Sequence, residues 1–545
     1  MSAPTIGGLL AAAEPAGARS LGELIDRLAH GSLLHGAREG GKAIGPAALA
    51  GLEIRGVTDD SRRVAPGGLF VAVRGAHVDG HDLVQQAADA GAVAAIVEQP
   101  RTDVALPQVV VDRSQAALAD AAAWWFGDPS HELGVVGITG TDGKTTTSFL
   151  AFAALEAAGW STGLIGTVET RIGATREPNS EHMTTPGAIE LQRAIRAMVE
   201  AGNEASVIET TSHGLAADRV RGIAYDVAIL TNLSHEHLEF HGSWDAYRDA
   251  KLSLFERLAV SGSPVKDTLA WPKAAIVNVD DPSAGLFVGV AQEAGARIVT
   301  YGTDPAADVR ATHSAEDTHG LRVTYQAPSG PASLQLQLAG RFNVHNALAV
   351  VALGEGLGLD PAAVRTGLES VEGVPGRMER VDAGQPFGVV IDYAHSPASL
   401  EAVLEILAPV AAARGGRLIA VFGSAGERDV EKRPMMGRIA AERARLVIAT
   451  DEDPRGEDRE AILDEIARGA EAAGKRRGHD VLLVADRPAA IAAAFERARA
   501  GDIVLLAGKG HEHSIIGPGG PVAYDERATA LAALADLGYG TTGAR

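Results

Sequence analysis

The chain is expected to be α/β throughout, in three domains. A central doubly wound sheet of the P-loop type is flanked by an N-terminal α/β domain and a C-terminal Rossmann-like α/β domain. Three observations predict this. Short apolar runs alternate with stretches of helical period along nearly the whole sequence, as parallel strands buried on both faces require. The glycine-rich stretch Gly140-Thr141-Asp142-Gly143-Lys144-Thr145-Thr146 stands between an apolar run, Leu133 to Ile138, and a helical stretch, Thr147 to Ala158. Finally, 545 residues exceed one ordinary domain, and turn-rich linkers at Phe126-Gly127-Asp128-Pro129 and Gly373-Val374-Pro375-Gly376 divide them. The domains so drawn are 1–128, 129–373 and 374–545.

In order, residues 1 to 20 are small and rich in Gly, Pro and Ala, and are expected to form a loose extension. Ser20 to Leu28 reads as a capped amphipathic helix. Leu69–Val73, Val93–Val97 and Gln108–Val111 read as strands, with helices over Asp82–Ala90 and Ser114–Trp125. In the centre, Ala205–Ile208, Val227–Leu230 and Ala274–Asn278 are apolar runs that end in polar residues. Ligands of such sheets sit beyond the carboxyl ends of the strands, where Glu209, Thr231, Asn232 and Asn278 fall. Residues 307–340 alternate as antiparallel strands do. Val389–Ile391, Leu418–Phe422, Leu446–Ala449 and Ile503–Leu506 are the buried strands of the third domain.

Composition narrows the function. The formal charge is −21, whereas nucleic-acid binders are more often basic, so no nucleic-acid partner is expected. There is no cysteine, hence no disulfide, thiolate metal site or cysteine nucleophile. No stretch is long and apolar enough for a membrane helix, and no basic region precedes Gly8-Leu9-Leu10-Ala11, so no signal peptide is expected. The cytoplasm is the default location, and a monomer is expected.

A strand, a glycine turn and a helix make a phosphate cradle. The glycines admit the phosphates to the backbone, the helix N-terminus points N–H groups at them, and Lys144 adds charge. The Thr145 or Thr146 hydroxyl can reach a Mg²⁺. The generic spacing asks for a further glycine where Ile138 stands, so this is a shorter variant, Gly-Thr-x-Gly-Lys-Thr. Glu209, at a strand end before Thr210-Thr211-Ser212-His213-Gly214, suits Mg²⁺ or is a solvated glutamate. Thr231 to His241 packs His235, His237 and His241 beside Glu236 and Glu239. Zinc is conceivable from spacing alone, but phosphoryl chemistry favours Mg²⁺ with one histidine ligand.

Together these runs resemble the ATP-dependent Mur ligases, which add amino acids to the peptidoglycan precursor. The motifs span about Val57 to Glu512 in family order, most like the members that add the third residue. The resemblance implies an amide ligase working through an acyl phosphate on UDP-N-acetylmuramoyl-L-alanyl-D-glutamate (UDP-MurNAc-L-Ala-D-Glu), with ATP, a diamino acid and Mg²⁺.

Thr58-Asp59-Asp60-Ser61-Arg62 then belongs to the uridine-diphosphate pocket, with Ser61 at the uracil. Thr184, Thr185, Ser212 and Arg219 are then expected to contact the muramoyl-dipeptide; a glutamine expected near Ala217 is missing. The resemblance implies that Gly140, Thr141, Asp142, Gly143, Lys144, Thr145 and Thr146 hold the phosphates, that Asn278 lies on the nucleotide side, and that Asn343 and Asn346 serve the adenine. Arg377, Asp392 and His395 close over ATP. Lys144, Lys251, His237 and Glu209 are the catalytic set. The resemblance implies Thr145, Glu209, His237 and a carbamylated Lys251 as metal ligands. By itself, Lys251 reads as a helix-surface lysine.

Arg428, Asp453, Arg455, Gly508 and Glu512 form the amino-acid pocket. Diaminopimelate-adding relatives carry Asp-Asn-Pro-Arg where this chain has Glu452-Asp453-Pro454-Arg455. An arginine grips a distal carboxylate, so Arg455 favours meso-2,6-diaminopimelate. Asp453, in place of asparagine, leaves L-lysine or L-ornithine open. A polyglutamate synthase and a nucleotide switch are the rival readings; the uridine motif and Arg455 speak against the first, and the amino-acid pocket against the second.

Overall fold

A computed structural model describes residues 4–75, 78–179, 183–234, 238–260, 271–317 and 320–540. Three large sheets lie in sequence order. The N-terminal sheet runs Lys42–Ile44, Leu34–Glu39, Gln108–Val111, Ala92–Val97, Gly68–Val71, Val57–Thr58. Its last four strands are parallel, and Leu34–Glu39 pairs antiparallel on both sides.

The central sheet has eleven strands. Its parallel heart runs Thr162–Ile165, Ala205–Glu209, Gly134–Thr139, Val227–Leu230, Ala274–Asn278, Arg297–Gly302. Gly134–Thr139, Ala205–Glu209, Val227–Leu230 and Ala274–Asn278 are buried at every position, which is why their sequences show unbroken apolar runs rather than alternation. Later strands of the chain fall on both sides of Gly134–Thr139. The phosphate loop therefore leaves the sheet at the point where strand order reverses, the usual ligand crevice.

The N-terminal and central sheets share one compact unit; a second is built on the residues from Val371 onward. Within the first unit, Arg221 pairs with Asp120 at 3.3 Å, Arg113 with Asp218, and Arg196 Nε donates to the Phe126 carbonyl at 2.9 Å. The expected linker at 126–129 is thus clamped onto the central domain. In the second unit the sheet runs Glu379–Val381, Gly388–Asp392, Ile503–Ala507, Leu418–Phe422, Leu446–Ala449, Val481–Leu483, all parallel after the first pair.

One expectation is corrected. Residues 1–20 are not a loose extension over their described length. Ile6–Ala12 is a helix, capped by Thr5, whose hydroxyl accepts from Gly8 N. Ile6, Leu9, Leu10 and Ala13 recur at helical spacing and pack into the central core. Ile6 N donates to Glu177 Oε1 at 2.8 Å, and Glu14 pairs with Arg193. The surrounding glycines, alanines and proline hide this stripe in the composition.

Candidate active site

The phosphate loop begins where Thr139 leaves the sheet. Gly143 has φ 82° and ends the loop; this left-handed residue turns the chain into the helix Lys144–Ala157, so the helix starts earlier than its apolar period indicates. A Cβ at Gly140 would run into Thr231 Oγ1, and one at Gly143 into Asn346 Oδ1, so both positions need glycine. The neighbouring strand end braces the loop. Asn232 accepts from Thr141 N at 2.8 Å through its carbonyl and from Asp142 N at 2.9 Å through its side chain. Thr231 Oγ1 donates to the Asp142 carbonyl at 2.6 Å, and Thr141 Oγ1 shares a 2.8 Å bond with Tyr247 OH. Thr145 and Thr146 are buried behind the loop.

Two lysines meet this loop. Lys144 Nζ donates to the carbonyls of Gly140 at 2.8 Å and Thr141 at 2.7 Å. Lys251 Nζ donates to the same Gly140 carbonyl at 2.7 Å and lies over the Tyr247 ring at 4.6 Å. Lys251 is 2% exposed, so it is no surface lysine. A signal for this was present in the helix Trp244–Val260. Tyr247, Lys251, Leu254, Phe255 and Leu258 follow one helical stripe, and all five are buried.

Glu209 is wholly buried at the end of its strand. Its Oε2 accepts from Thr145 Oγ1 at 3.0 Å and Thr167 Oγ1 at 2.8 Å, and its Oε1 from Thr167 N at 3.0 Å. It pairs with no basic side chain among the described residues. A buried carboxylate beside a hydroxyl and without a counter-cation fits a hard divalent cation such as Mg²⁺. Thr167 was missed in the sequence, although it closely follows the apolar strand Thr162–Ile165, where ligand-binding residues are expected. His237, with His235 and Glu236, lies outside the described residues.

The residues expected to hold the dipeptide join the same network. Thr184 Oγ1 meets Thr167 Oγ1 at 3.0 Å. Thr185 Oγ1 donates to the Glu209 carbonyl at 2.8 Å and meets Thr211 Oγ1 at 3.0 Å. Arg219 donates to the Thr185 carbonyl at 2.9 Å, and burial pushes its pKa down. Ser212 is buried at the start of the short helix that Thr211 caps. Ser61 is buried in the N-terminal domain, close after the strand Val57–Thr58.

On the nucleotide side, Asn278 Nδ2 holds the Thr231 carbonyl at 2.7 Å, which is a bracing contact. Asn346 donates to Asn343 Oδ1 at 2.8 Å and stands against Gly143 of the glycine loop, whereas the resemblance implies a place at the adenine. Asp280 was not singled out in the sequence. It accepts from Thr303 and Asp304 and pairs with His345 at 2.7 Å.

In the second unit, four loops that follow strands of the sheet carry the remaining residues except Arg377, which precedes the strand Glu379–Val381. Arg377 stacks on Tyr393 at 4.7 Å. Asp392 accepts from Met378 N and Ala394 N, both at 2.8 Å; burial raises its pKa against the pull of Arg377. His395 Nδ1 meets the Tyr393 carbonyl at 2.8 Å, and Arg428 is exposed.

The pocket loops are tightly tied. Lys509 is fully buried, and its Nζ bonds Asp453 Oδ1 at 2.8 Å and Glu512 Oε2 at 2.5 Å. Ile516 N also donates to Asp453 Oδ1, at 2.9 Å, and Tyr393 OH to Glu512 Oε1 at 3.1 Å. Gly508 has φ 103°, and a side chain there would point towards Glu452. Glu452 Oε2 and Arg455 Nε are among the buried polar atoms that have no hydrogen-bond partner among the described residues. Lys509 and Glu452 were not singled out in the sequence as pocket residues.

A glycine loop between a parallel strand and a helix, with a wholly buried carboxylate beside it, is the arrangement expected of a nucleotide-dependent α/β enzyme. Family comparison supplies the rest. The model described as Mur ligase family, catalytic domain, matches residues 53–124. The Mur ligase middle domain matches 138–354, and the Mur ligase, glutamate ligase domain, matches 376–510. The chain is 50% identical over 497 residues to the UDP-N-acetylmuramyl-tripeptide synthetase of Roseiflexus sp. (strain RS-1), covering 90% of this chain and 96% of the relative. It is 41% identical to the UDP-N-acetylmuramoyl-L-alanyl-D-glutamate–2,6-diaminopimelate ligase of Geobacter metallireducens, covering 91% and 98%. A solved structure of a ligase of that same description aligns with TM-score 0.62 at 30% identity, covering 90% and 96%. The chain belongs to the Mur ligase family and is an ATP-dependent amide ligase. No helix among the described residues is long and apolar enough to cross a membrane.

Proposed function

We propose that the chain joins meso-2,6-diaminopimelate to the D-glutamate γ-carboxylate of UDP-MurNAc-L-Ala-D-Glu, using ATP and Mg²⁺ in the cytoplasm. One observation carries the choice of amino acid. Asp453, the residue that departs from the diaminopimelate pattern, has its carboxylate engaged by Lys509 and Ile516 N. Its charge is therefore spent inside the protein. Arg455 Nε and Glu452 Oε2 are left without protein partners. One cation and one carboxylate complement the distal end of diaminopimelate, which carries both a carboxylate and an ammonium. Lysine and ornithine have no carboxylate there and would leave the half-buried arginine unmatched.

In this reading the γ-carboxylate attacks the terminal phosphorus of ATP, giving an acyl phosphate and ADP. The neutral amine of the diamino acid then attacks the acyl carbon; phosphate leaves and the nitrogen sheds a proton. Lys144 and the loop N–H groups stabilise the charge on the moving phosphoryl group, since positioning and electrostatics dominate such steps. Thr145 and Glu209 would hold Mg²⁺, which supplies charge neutralisation at the phosphates. Thr167 orients Glu209 through its N–H and its hydroxyl. Thr184, Thr185, Ser212 and Arg219 hold the dipeptide, and Ser61 the uridine. Arg377, Asp392 and His395 serve the nucleotide from the third domain. The domain limits fitting these roles are 1–128, 129–373 and 374–545.

The test is phosphate release and product mass with ATP, Mg²⁺ and the UDP-linked dipeptide, adding meso-diaminopimelate, L-lysine or L-ornithine in separate reactions. Release and a tripeptide product with diaminopimelate alone are expected. Turnover with lysine or ornithine instead would assign the pocket to a plain ammonium side chain. Release indifferent to any amino acid would refute the reading.

A further inference from the structure

Apart from Arg428, which follows the strand Leu418–Phe422, the proposed amino-acid pocket takes its residues from two loops. One, Thr450 to Arg455, follows the strand Leu446–Ala449; the other, Gly508 to Glu512, follows Ile503–Ala507. These strands are not neighbours, because Leu418–Phe422 lies between them. The sheet ladder therefore does not fix one loop directly against the other.

Arg487 does. It opens the helix Arg487–Arg497 and is 1% exposed. Its NH1 donates to the Asp451 carbonyl at 3.0 Å, at the root of the first loop. Its NH2 donates to the Ala507 carbonyl at 2.8 Å, at the root of the second. Glu526, 2% exposed, holds the same guanidinium bidentately, at 2.8 Å from Nε and 2.6 Å from NH2, and Tyr524 OH caps the carboxylate. The guanidinium is a rigid planar fork, so fixing one edge on Glu526 fixes the direction of the donors on the other. A buried ion pair is weak evidence for stability, because apolar residues of similar volume often replace it without loss. What apolar residues cannot supply is the pair of N–H bonds to the two loop roots.

We propose that the buried Arg487–Glu526 pair is a positioning device for the diamino-acid pocket, setting the spacing between the loop of Glu452, Asp453 and Arg455 and the loop of Lys509 and Glu512. The inference rests on the amino-acid-pocket reading above. Small misplacements of binding groups far from the chemistry lower rates and affinity steeply, so the effect falls on the diamino acid rather than on the nucleotide.

The experiment measures KM for each of the three substrates in the full-length enzyme carrying Arg487→Met with Glu526→Met. That double change removes both charges together and keeps apolar volume. The expected result is a rise of about tenfold in KM for the diamino acid, with KM for ATP and for the UDP-linked dipeptide within about twofold. Arg487→Lys balances the charge of Glu526 without the fork; its expected rise is smaller, about threefold, with the same selectivity, and it carries the measurement if the double variant does not fold. A folded variant with an unchanged diamino-acid KM would overturn the inference. So would a parallel rise in all three constants, which marks general loosening. The wild-type enzyme, run alongside, separates the two levels: if its phosphate release ignores amino acids, the pocket reading itself has failed.

Discussion

Lys144→Ala is expected to lower ATP turnover at least about a hundredfold, roughly 3 kcal/mol of transition-state stabilisation, the scale for one preorganised donor at a developing charge. Lys144 opens the helix behind the cradle, and its ammonium already lies along the loop, bonded to the Gly140 and Thr141 carbonyls. Those bonds hold the side chain beside the position where the phosphates would sit. The lysine is half-buried and anchors no core contact, so the variant should fold normally, and its thermal midpoint is the control. The readout is ADP formation with all substrates present. A variant that kept full ADP release would show that the stretch 140–146 is only a structural turn.

The second large effect is expected at Lys251. Its ammonium and that of Lys144 donate to one carbonyl oxygen, so two like charges stand within a few ångströms inside the protein. Like charges this close, one of them shielded from water, repel strongly. Addition of CO₂ to the neutral amine, with loss of a proton, would turn Lys251 into an anionic carbamate. The repulsion would become attraction, and oxygen ligands would be available for Mg²⁺. Lys251→Met, which keeps the packing against Tyr247, is expected to lose at least about a hundredfold in kcat. Lys251→Arg keeps a positive charge but cannot take up CO₂, and should be as impaired. Purging CO₂ should lower wild-type activity, and bicarbonate should restore it while leaving both variants unchanged. An active Lys251→Arg enzyme would mean that the positive charge itself is what the site uses.

The parts of the fold that depend on local pattern were legible in the sequence. Val227–Leu230, Ala274–Asn278, Leu418–Phe422 and Leu446–Ala449 are strands with the boundaries their apolar runs indicate. A fully buried parallel strand must be apolar from end to end, so its limits are written locally. The phosphate loop was legible for a similar reason: strand, glycines and lysine are contiguous. Tertiary contacts were harder. Glu209 could be placed at a strand end, but its partner Thr167 comes from the turn after a different strand, Thr162–Ile165. Asp453 read as a threat to diaminopimelate binding because its neutralising lysine lies far along the chain at Lys509. The N-terminal helix was missed because composition drew attention away from the spacing of Ile6, Leu9, Leu10 and Ala13. Lys251 read as exposed from its polar neighbours, whereas the helical stripe from Tyr247 to Leu258 places it inside.

The central claim is that this site transfers a phosphoryl group to a carboxylate. It is tested most directly with UDP-MurNAc-L-Ala-D-Glu whose γ-carboxylate carries heavy oxygen. During turnover with ATP and the diamino acid, the account predicts that one labelled oxygen leaves with the inorganic phosphate, because the acyl phosphate breaks at the acyl carbon. Unlabelled phosphate from a reaction that consumes ATP would mean that water, not the substrate carboxylate, receives the phosphoryl group, and would contradict the account.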